Sequence, residues 1–460
     1  MRLSHAARWL ALSVAAALVA GCAPAATSTP VPTQAPPTAA AATDLPATVA
    51  PTTEPATEAP TAAAEETEVS WMVLGDPAET KSFQDVADAF EALHPGVSVT
   101  VITLASEEED YFARLGADLA AGTPADVIYM DYRDAGRYYA NGAFQPITQQ
   151  LAGSTLIKAE DFYAPALDAF TWEGEQMCIP INISSLAVYY NKDLFDAAGV
   201  AYPAAGWTWD DLLTTAQALT KDTDGDGVTD QYGLGLAPQM IRLLPFVWQN
   251  GGEFLNAEGG LALDTPEARA AFDFFVSLQT EHHVVPGQVE EQAQSSTARF
   301  QNGTTAMFFQ SRRVTTDFRS ITAFDWDVAG LPQGTQANTI LHSDGLCLAD
   351  KAAHPTLGWQ LIEFANSVEG QQLMSATGRT VPSNRAVAES EYFLDPNAKP
   401  EHAQIWLDAI PTIKPAPVLR EWEEIEEHGN EELARAFYGE ATPDEAWQAL
   451  ISYIAPRVEE

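Results

Sequence analysis

The sequence predicts an α/β fold in which sheets of mainly parallel strands are flanked by helices. From Val69 onward, short apolar runs alternate with helical patterns that carry apolar residues on one face, and this alternation is typical of parallel sheets covered by helices. Hydrophobic residues make up 46% of the 460-residue chain, which is enough for a sizeable core. No repeat with a period of ~20–50 residues is present, so solenoid and propeller folds are excluded.

The first elements are assigned from their apolar spacing. Phe83, Val86 and Phe90 recur at helical spacing within one of them. The predicted strands cover residues 69–74, 97–104 and 126–130, and the predicted helices cover residues 79–93, 111–121 and 135–141. Because ligands of such sheets bind beyond the carboxyl ends of the strands, the loops after Leu74 and Met130 are candidate site loops.

The second half of the chain is predicted to be rich in helices. Thr208 is a suitable N-cap followed by acidic residues, and Pro266 fits the first turn of another helix. Further helices are predicted at residues 356–367, 369–376, 401–409 and 442–454.

The net charge of −41, from 64 acidic and 23 basic residues, excludes several partners. Nucleic-acid binding needs clustered Lys and Arg residues, and attachment to anionic lipid by charge needs them as well. Only six acids and two bases precede Val69, so the acidity belongs to the folded part. An acidic protein of this kind permits a cationic ligand such as a polyamine.

The N-terminal 68 residues are predicted to lie outside the fold. Residues 1–21 have a basic start followed by an apolar stretch too short to span a membrane, which indicates an export signal. Val19-Ala20-Gly21-Cys22 resembles the bacterial lipobox, so Cys22 is the expected lipidation site; the alternative is an ordinary signal peptide with a chance cysteine. Residues 22–68, rich in Ala, Pro and Thr, then form a disordered tether. The predicted location is the outer face of a bacterial cell membrane, attached through lipid only.

Residues 222–230 match the first half of an EF-hand calcium loop. Asp222, Asp224, Asp226 and Asp230 alternate with other residues, a glycine stands at the sixth position, and Val228 falls where a main-chain carbonyl binds. The twelfth position is a glycine, so the usual bidentate acid is missing. A structural Ca²⁺ site and an Asx-rich turn without metal both fit this pattern.

Eight motifs, in this order along the chain, resemble the extracellular solute-binding proteins of the maltose-binding-protein-like family, which are capture subunits of ABC importers. The motifs are Gly75-Asp76 and the segments at 90–101, 123–128, 141–144, 179–193, 299–307, 378–382 and 443–446. The resemblance implies a monomer of two α/β lobes joined by hinge crossings, of the type II periplasmic-binding-protein class. Lobe 1 would comprise residues 69–179 with about 348–400, and lobe 2 residues 182–345 with about 401–460.

The resemblance implies a lipoprotein that captures a carbohydrate, with an oligosaccharide as the expected class, and delivers it to permease subunits. It implies no enzymatic activity and no catalytic cofactor. The ligand-binding residues it implies are Asp76, Asp131, Tyr132, Arg133, Ser184, Gln310, Arg313 and Arg379, with Trp248 and Trp422 as aromatic candidates. Each Trp could instead be a core residue, and Arg312, Arg313 and Arg379 could instead form surface ion pairs in an acid-rich protein. In the family, Cys178 and Cys347 would lie on adjacent hinge strands, which implies a disulfide; otherwise they are two small buried side chains.

Two departures from the family pattern concern the ligand. Ser184 stands where the maltose binder has an acid, and Gln310, Arg312 and Arg313 stand where it has an aromatic stacker. Neutral oligosaccharide remains the expected ligand, although Arg312, Arg313 and Arg379 permit an acidic sugar. A surface sensor for a small solute is the main alternative function. A secreted glycoside hydrolase is a further one, since no nucleophile elbow, zinc-protease motif or P-loop is present but carboxylates are abundant.

Overall fold

A computed structural model describes residues 67–104 and 108–458. The predicted signal (1–21), the predicted lipidation site Cys22 and nearly all of the predicted tether (22–68) lie outside the described residues. Within the described part, no helix combines the length and apolar character that a membrane crossing would need.

The described chain contains thirteen strands. They are β1 (Thr67–Leu74), β2 (Val97–Leu104), β3 (Val127–Asp131), β4 (Thr171–Trp172), β5 (Glu175–Gln176), β6 (Cys178–Pro180), β7 (Leu186–Asn191), β8 (Tyr232–Gly235), β9 (Thr305–Ser311), β10 (Trp326–Ala329), β11 (Thr339–Ile340), β12 (Asp344–Leu348) and β13 (Ile413–Lys414).

Eighteen α-helices accompany these strands in the described part. They are α1 (Pro77–Leu93), α2 (Glu108–Ala121), α3 (Ala135–Ala140), α4 (Thr148–Gly153), α5 (Ala164–Asp168), α6 (Lys192–Ala198), α7 (Trp209–Leu219), α8 (Met240–Gln249), α9 (Pro266–Thr280), α10 (Gln288–Ala293), α11 (Ser296–Gln301), α12 (Thr315–Phe318), α13 (Pro355–Ala365), α14 (Val368–Met374), α15 (Arg385–Ala388), α16 (Ile405–Ala409), α17 (Trp422–Phe437) and α18 (Pro443–Val458).

Two sheets organise the molecule. The first has the order β2-β1-β3-β12-β6, and the second has the order β10-β7-β9-β8. We call the part built on the first sheet lobe 1 and the part built on the second sheet lobe 2. Helices α17 and α18 belong with lobe 2 because α17 packs on α8 and α9, and α18 packs on α9. The residue boundaries of the lobes stay a prediction.

Both sheets are mixed, whereas the sequence predicted mainly parallel strands. In lobe 1, β1 pairs parallel with β2 and β3, but β12 pairs antiparallel with β3 and β6. In lobe 2, only β8 and β9 are parallel. Parallel pairing requires a crossover connection, and β12 enters the first sheet directly from the lobe 2 part of the chain, without a helical crossover.

The start of lobe 1 forms as its apolar pattern predicts. Strand β1 lies inside the first sheet with Trp71 fully buried, and α1 buries Phe83, Val86 and Phe90. Helix α1 begins two residues earlier than predicted, because the Asp76 side chain accepts hydrogen bonds from the first-turn N–H groups and so caps the helix. The carboxyl end of β1 is thereby fixed beside the position where a ligand is expected.

One predicted helix is shorter in the structure. Residues 401–409 were predicted as helical, but α16 begins only at Ile405. The N–H of His402 donates to the Asp327 carboxylate (3.1 Å), and the His402 ring contacts the same carboxylate. These contacts hold the segment in a turn across β10.

Strands β6 and β12 place the two cysteines opposite each other. Cys178 and Cys347 are register partners in this antiparallel pair, and a disulfide joins them across 169 residues of sequence. The Tyr139 hydroxyl lies 3.2 Å from the Cys178 Sγ atom. The bridge therefore lies within the lobe 1 sheet, next to the point where the chain passes into lobe 2.

Candidate ligand-binding cleft

A cavity of about 210 Å³ lies between the two lobes. Lobe 1 contributes the carboxyl end of β3, the start of β12 and the loop after α14, whereas lobe 2 contributes the end of β9 and the start of α8. The residues that matter for its chemistry are Asp131, Arg133, Ser184, Gln239, Ile241, Arg242, Gln310, Arg313, His342, Asp344 and Arg379. We call this cavity the cleft.

The cleft brings together six of the predicted ligand-binding residues. They are Asp131, Arg133, Ser184, Gln310, Arg313 and Arg379. Asp76 does not line the cleft but forms an ion pair with Arg379. A separate cavity of about 380 Å³ beside α16 is lined mostly by apolar residues and by none of the predicted ones, so the cleft is the better candidate site.

Three predicted residues are corrected by their burial. The Tyr132 side chain is fully buried, and its hydroxyl donates to the Leu341 carbonyl (3.1 Å) and accepts from the Ala416 N–H (3.0 Å). Trp248 and Trp422 are also buried, and Trp422 packs edge-on against Phe254. None of these side chains lines the cleft, because their apolar faces are used in the core.

The two cleft arginines of lobe 1 are each held by two carboxylates. Arg133 donates to Asp131 Oδ2 (2.9 Å) and to both oxygens of Glu426 (2.7 and 2.9 Å). Arg379 contacts Asp76, and its Nε lies 2.8 Å from Glu79 Oε1. Burial alone would raise the pKa of Asp131, but the Arg133 guanidinium outweighs that effect and lowers it. The positive charges of this wall are therefore already compensated.

The two cleft arginines of lobe 2 have no such partners. Arg242 is buried, with 6% of its surface exposed, and it contacts only the side-chain carbonyls of Gln239 and Gln310, the latter at 3.1 Å. Burial and, to a smaller degree, the nearby Arg133 lower the pKa of Arg242 to about 10. Arg313 is exposed to solvent at the cleft and makes no hydrogen bond or ion pair with any described residue. Desolvation alone would lower the pKa of its guanidinium, but nearby Tyr129, Asp344, Glu79 and Asp131 outweigh that effect and raise it.

Two neutral groups complete the polar lining. The His342 Nε2 and Ser184 Oγ atoms are buried and have no hydrogen-bond partner in the part of the chain that the structure describes. Burial and the charge of Arg133 lower the pKa of His342 to about 3, so its ring is neutral at neutral pH. Buried polar atoms normally have partners, and these two atoms are therefore suited to ligand hydroxyls.

A larger cavity of about 970 Å³ adjoins the cleft and shares Arg133, Gln239 and Ile241 with it. Its wall includes the rings of Phe112 and Tyr138, whose planes lie 25° apart with centroids separated by 6.1 Å. The Arg137 guanidinium lies over both rings, 5.2 and 4.9 Å from their centroids, so their faces are already partly covered.

Sequence reasoning missed several of these residues. Arg242 carried a usable signal, because it is the one charged residue in the apolar helix α8. Phe112 and Tyr138 carried none, since apolar residues on a predicted helix are expected in the core. His342 and Asp344 precede or begin a strand, and only the three-dimensional structure shows that they face lobe 2.

The predicted metal loop brings three carboxylates together away from the cleft. Asp222, Asp224 and Asp226 each offer an oxygen within 4.8 Å of the others, and all three are exposed. Both Asp222 oxygens accept backbone N–H groups, from Gly225 (2.6 Å) and Gly227 (2.8 Å), and these bonds lower its pKa.

The remaining positions of the loop contribute less. The Asp230 carboxylate accepts the Thr223 N–H (2.7 Å) and hydroxyl (2.6 Å), so one of its oxygens is used within the loop. Val228 is exposed and donates its N–H to Asp226. In this conformation, the carboxylates placed to contact one cation are those of Asp222, Asp224 and Asp226.

Comparison with known proteins identifies relatives of this architecture. The family model described as bacterial extracellular solute-binding protein matches residues 75–372. A putative binding protein of Brucella abortus is 25% identical over 376 residues, which cover 79% of this chain and 86% of that protein. The matched range includes most of the motifs that carried the family resemblance in the sequence, which confirms that resemblance.

Solved structures share the fold. An ABC substrate-binding protein from Listeria monocytogenes in complex with cycloalternan superimposes with a TM-score of 0.77 at 24% identity, covering 85% of this chain and 98% of that one. The sugar-binding protein MalE from Xanthomonas citri has a TM-score of 0.74 at 20% identity, covering 85% and 98%. These matches confirm the predicted fold class.

Proposed function

The chain belongs to the bacterial extracellular solute-binding protein family, and we propose that it captures a carbohydrate outside the cell and delivers it to the permease of an ABC importer. The family consists of binding proteins, which removes the hydrolase alternative. The observation that carries the proposal is the polar cleft between the lobes, lined by residues of both. Closure of two lobes over such a cleft is a common way to enclose a solute.

Two features support a carbohydrate as the ligand. The structural relatives include a protein solved with cycloalternan and one described as sugar-binding. Aromatic side chains pack against the apolar C–H patches of sugars, and Phe112 and Tyr138, partly covered by Arg137, line the adjoining cavity. Because the cleft alone holds roughly seven water volumes, an oligosaccharide would extend from it into that larger cavity.

The proposal is tested by a thermal-shift panel of mono- and oligosaccharides, polyols, peptides and polyamines. A carbohydrate at a hundred times its Kd is expected to stabilise the protein by about 2.7 kcal/mol. Ile241→Trp should reduce that shift, because Ile241 lines both cavities and the larger side chain would narrow the place where they meet. Leu93→Trp, at a residue that is 60% exposed on α1, is the control and should leave the shift unchanged.

Two results would contradict the proposal. The first is stabilisation by peptides or polyamines alone. The second is hydrolysis of a bound carbohydrate during the measurement.

We also propose that Cys22 carries a lipid that holds the mature protein at the membrane through the tether of residues 22–68. The support is the lipobox-like sequence that ends at Cys22 together with a family of extracellular proteins. Cys22→Ala is expected to move the protein from the membrane fraction to the soluble fraction. Equal membrane association of the variant would contradict the anchor.

We further propose that the loop of residues 222–230 binds Ca²⁺ in a structural role. The three converging carboxylates support it, and Val228 would add a main-chain carbonyl. Calcium is expected to raise the melting temperature of the wild type but not of Asp224→Ala, with magnesium at the same concentration as the control cation. An unchanged wild-type melting temperature would favour a metal-free turn.

A further inference from the structure

We propose that the ligand carries an anionic group, a carboxylate or a phosphate, which binds beside Arg242 and Arg313 on the lobe 2 wall of the cleft. The inference rests on the proposed function, because it specifies which class of carbohydrate the cleft accepts.

The first observation is the environment of Arg242. A buried guanidinium is costly unless a negative charge and hydrogen bonds compensate it. Arg242 is 6% exposed, yet its contacts are the neutral carbonyl oxygens of Gln239 and Gln310. Its Nε–H has no hydrogen-bond partner among the described residues. A guanidinium has five N–H donors, and most of those of Arg242 are left for another molecule.

A neighbouring arginine has a different environment: its Nε and Nη1 atoms also lack hydrogen-bond partners among the described residues, but aromatic rings cover its guanidinium. Arg312 is also buried and also lacks a carboxylate within the described part of the chain. Its guanidinium is instead stacked between the rings of Phe393 and Trp406, 4.5 and 4.6 Å from their centroids. No aromatic ring of the described residues covers Arg242 in this way, so its charge lacks both kinds of compensation.

Among the described residues, no carboxylate of the cleft forms an ion pair with Arg242 or Arg313, although Asp344 and Asp131 act on the charge of Arg313. Asp131 is bound to Arg133 on the lobe 1 wall. Asp344 accepts a hydrogen bond from the Asn182 side chain (2.7 Å); burial and the charge of Asp131 raise its pKa, whereas the charge of Arg313 acts in the opposite direction. In a chain with 64 acidic residues, Arg242 on this wall contacts only amide oxygens, and Arg313 has acidic neighbours but no ion pair among the described residues.

The geometry also suggests how an acidic sugar would bind. Guanidinium groups bind carboxylates and phosphates through paired hydrogen bonds. Arg242 and Arg313 line the same cavity of about 210 Å³, so one anionic group within it would be near both. The unpartnered His342 Nε2 and Ser184 Oγ atoms in the same lining would then contact ring hydroxyls.

Isothermal titration with matched sugars tests the proposal. The probes are D-glucose, D-glucuronate and D-glucose 6-phosphate, together with maltotriose and tri-galacturonate. We expect at least one acidic probe to bind tenfold or more tightly than its neutral counterpart. The comparison of glucuronate with glucose 6-phosphate distinguishes a carboxylate from a phosphate ligand.

The variants Arg242→Gln and Arg313→Gln are each expected to reduce the affinity for the acidic probe at least tenfold more than the affinity for the neutral probe. Arg313 is exposed, so its variant should fold even if Arg242→Gln does not. Arg385→Gln is the matched control, because Arg385 is an exposed lobe 1 arginine paired with Glu389; its affinities should equal those of the wild type.

Two outcomes overturn the inference and leave the proposed function intact. In the first, neutral oligosaccharides bind and no acidic probe binds more tightly. In the second, an acidic probe binds equally well to the wild type and to both arginine variants. If no probe in either set binds, the carbohydrate function itself is contradicted along with this inference.

Discussion

The arginines on the two walls of the cleft differ in whether carboxylates contact them. On the lobe 1 wall, Arg133 and Arg379 each contact two carboxylates. On the lobe 2 wall, Arg242 contacts only amide oxygens, and Arg313 forms no hydrogen bond or ion pair with the described residues, although the carboxylates of Asp344, Glu79 and Asp131 act on its charge. Both walls line one small cavity, so general surface acidity does not explain the difference.

The contrast separates two tasks that arginines perform in binding sites. An arginine with fixed carboxylate partners is held in one orientation before a ligand arrives, which reduces the entropy lost on binding. An arginine without them contributes charge that only a ligand can compensate. Lobe 1 therefore supplies a preorganised wall, and lobe 2 supplies the charge that selects the ligand.

The largest expected effect comes from removing the compensation on the lobe 1 wall. The double variant Asp131→Asn, Glu426→Gln leaves Arg133 surrounded by neutral partners, as Arg242 is now. Breaking a buried ion pair in this way costs ~3–5 kcal/mol of stability. Because these side chains are partly exposed, we expect the free energy of unfolding, measured with urea, to decrease by about 2 kcal/mol. Adding Arg133→Met should restore part of that loss; no restoration would mean that uncompensated charge is not the cause.

A smaller effect is expected from His342, which faces Asp131, Arg133, Arg242 and Arg313. Its folded-state pKa of about 3 lies below its unfolded value of 6.5, so the unfolded chain takes up a proton first as pH falls. Its contribution to stability is complete above pH 6.5 and is lost as pH decreases toward 3. Between pH 7 and 5 the free energy of unfolding of the wild type should decrease by about 1 kcal/mol more than that of His342→Gln. This value allows for solvent screening of the partly exposed ring. Parallel losses in both proteins would contradict this assignment.

The smallest expected effect concerns the lobe 2 wall without ligand. Arg242→Met removes an uncompensated buried charge and keeps most of the side-chain volume. We expect the ligand-free protein to gain about 0.5 kcal/mol in free energy of unfolding, since the lost contacts to Gln239 and Gln310 offset part of the benefit. A clear loss of stability would indicate that the two amides compensate Arg242 fully.

The sequence predicted the lobe 1 elements closely because their apolar periodicity is strong. The predicted strand at residues 97–104 matches β2, and the helix at 79–93 is wrong only in missing the Asp76 cap. The direction of β12 could not be predicted, because it depends on a chain that returns from the other lobe.

For the cleft, the order of family motifs placed Asp131, Arg133, Ser184, Gln310, Arg313 and Arg379 together. The prediction of Trp248 as a ligand-binding residue was wrong because it rested on residue type alone. An aromatic ring packs equally well in the core and against a sugar. Arg242 could have been singled out as the one charged residue of the apolar helix α8, but periodicity does not show that this face of the helix meets the opposite lobe.

The contact between Arg133 and Glu426 joins two parts of the molecule that must separate for a solute to enter. Arg133 follows β3 in lobe 1, whereas Glu426 lies on α17 in lobe 2. An ion pair that exists only when the lobes are together shifts the equilibrium toward the shut form by its own free energy, and each ~1.4 kcal/mol changes the ratio of shut to open molecules tenfold. Dissolved salt screens such a pair. Retention of the solute should therefore decrease as the salinity of the surrounding medium increases, even for a solute that carries no charge.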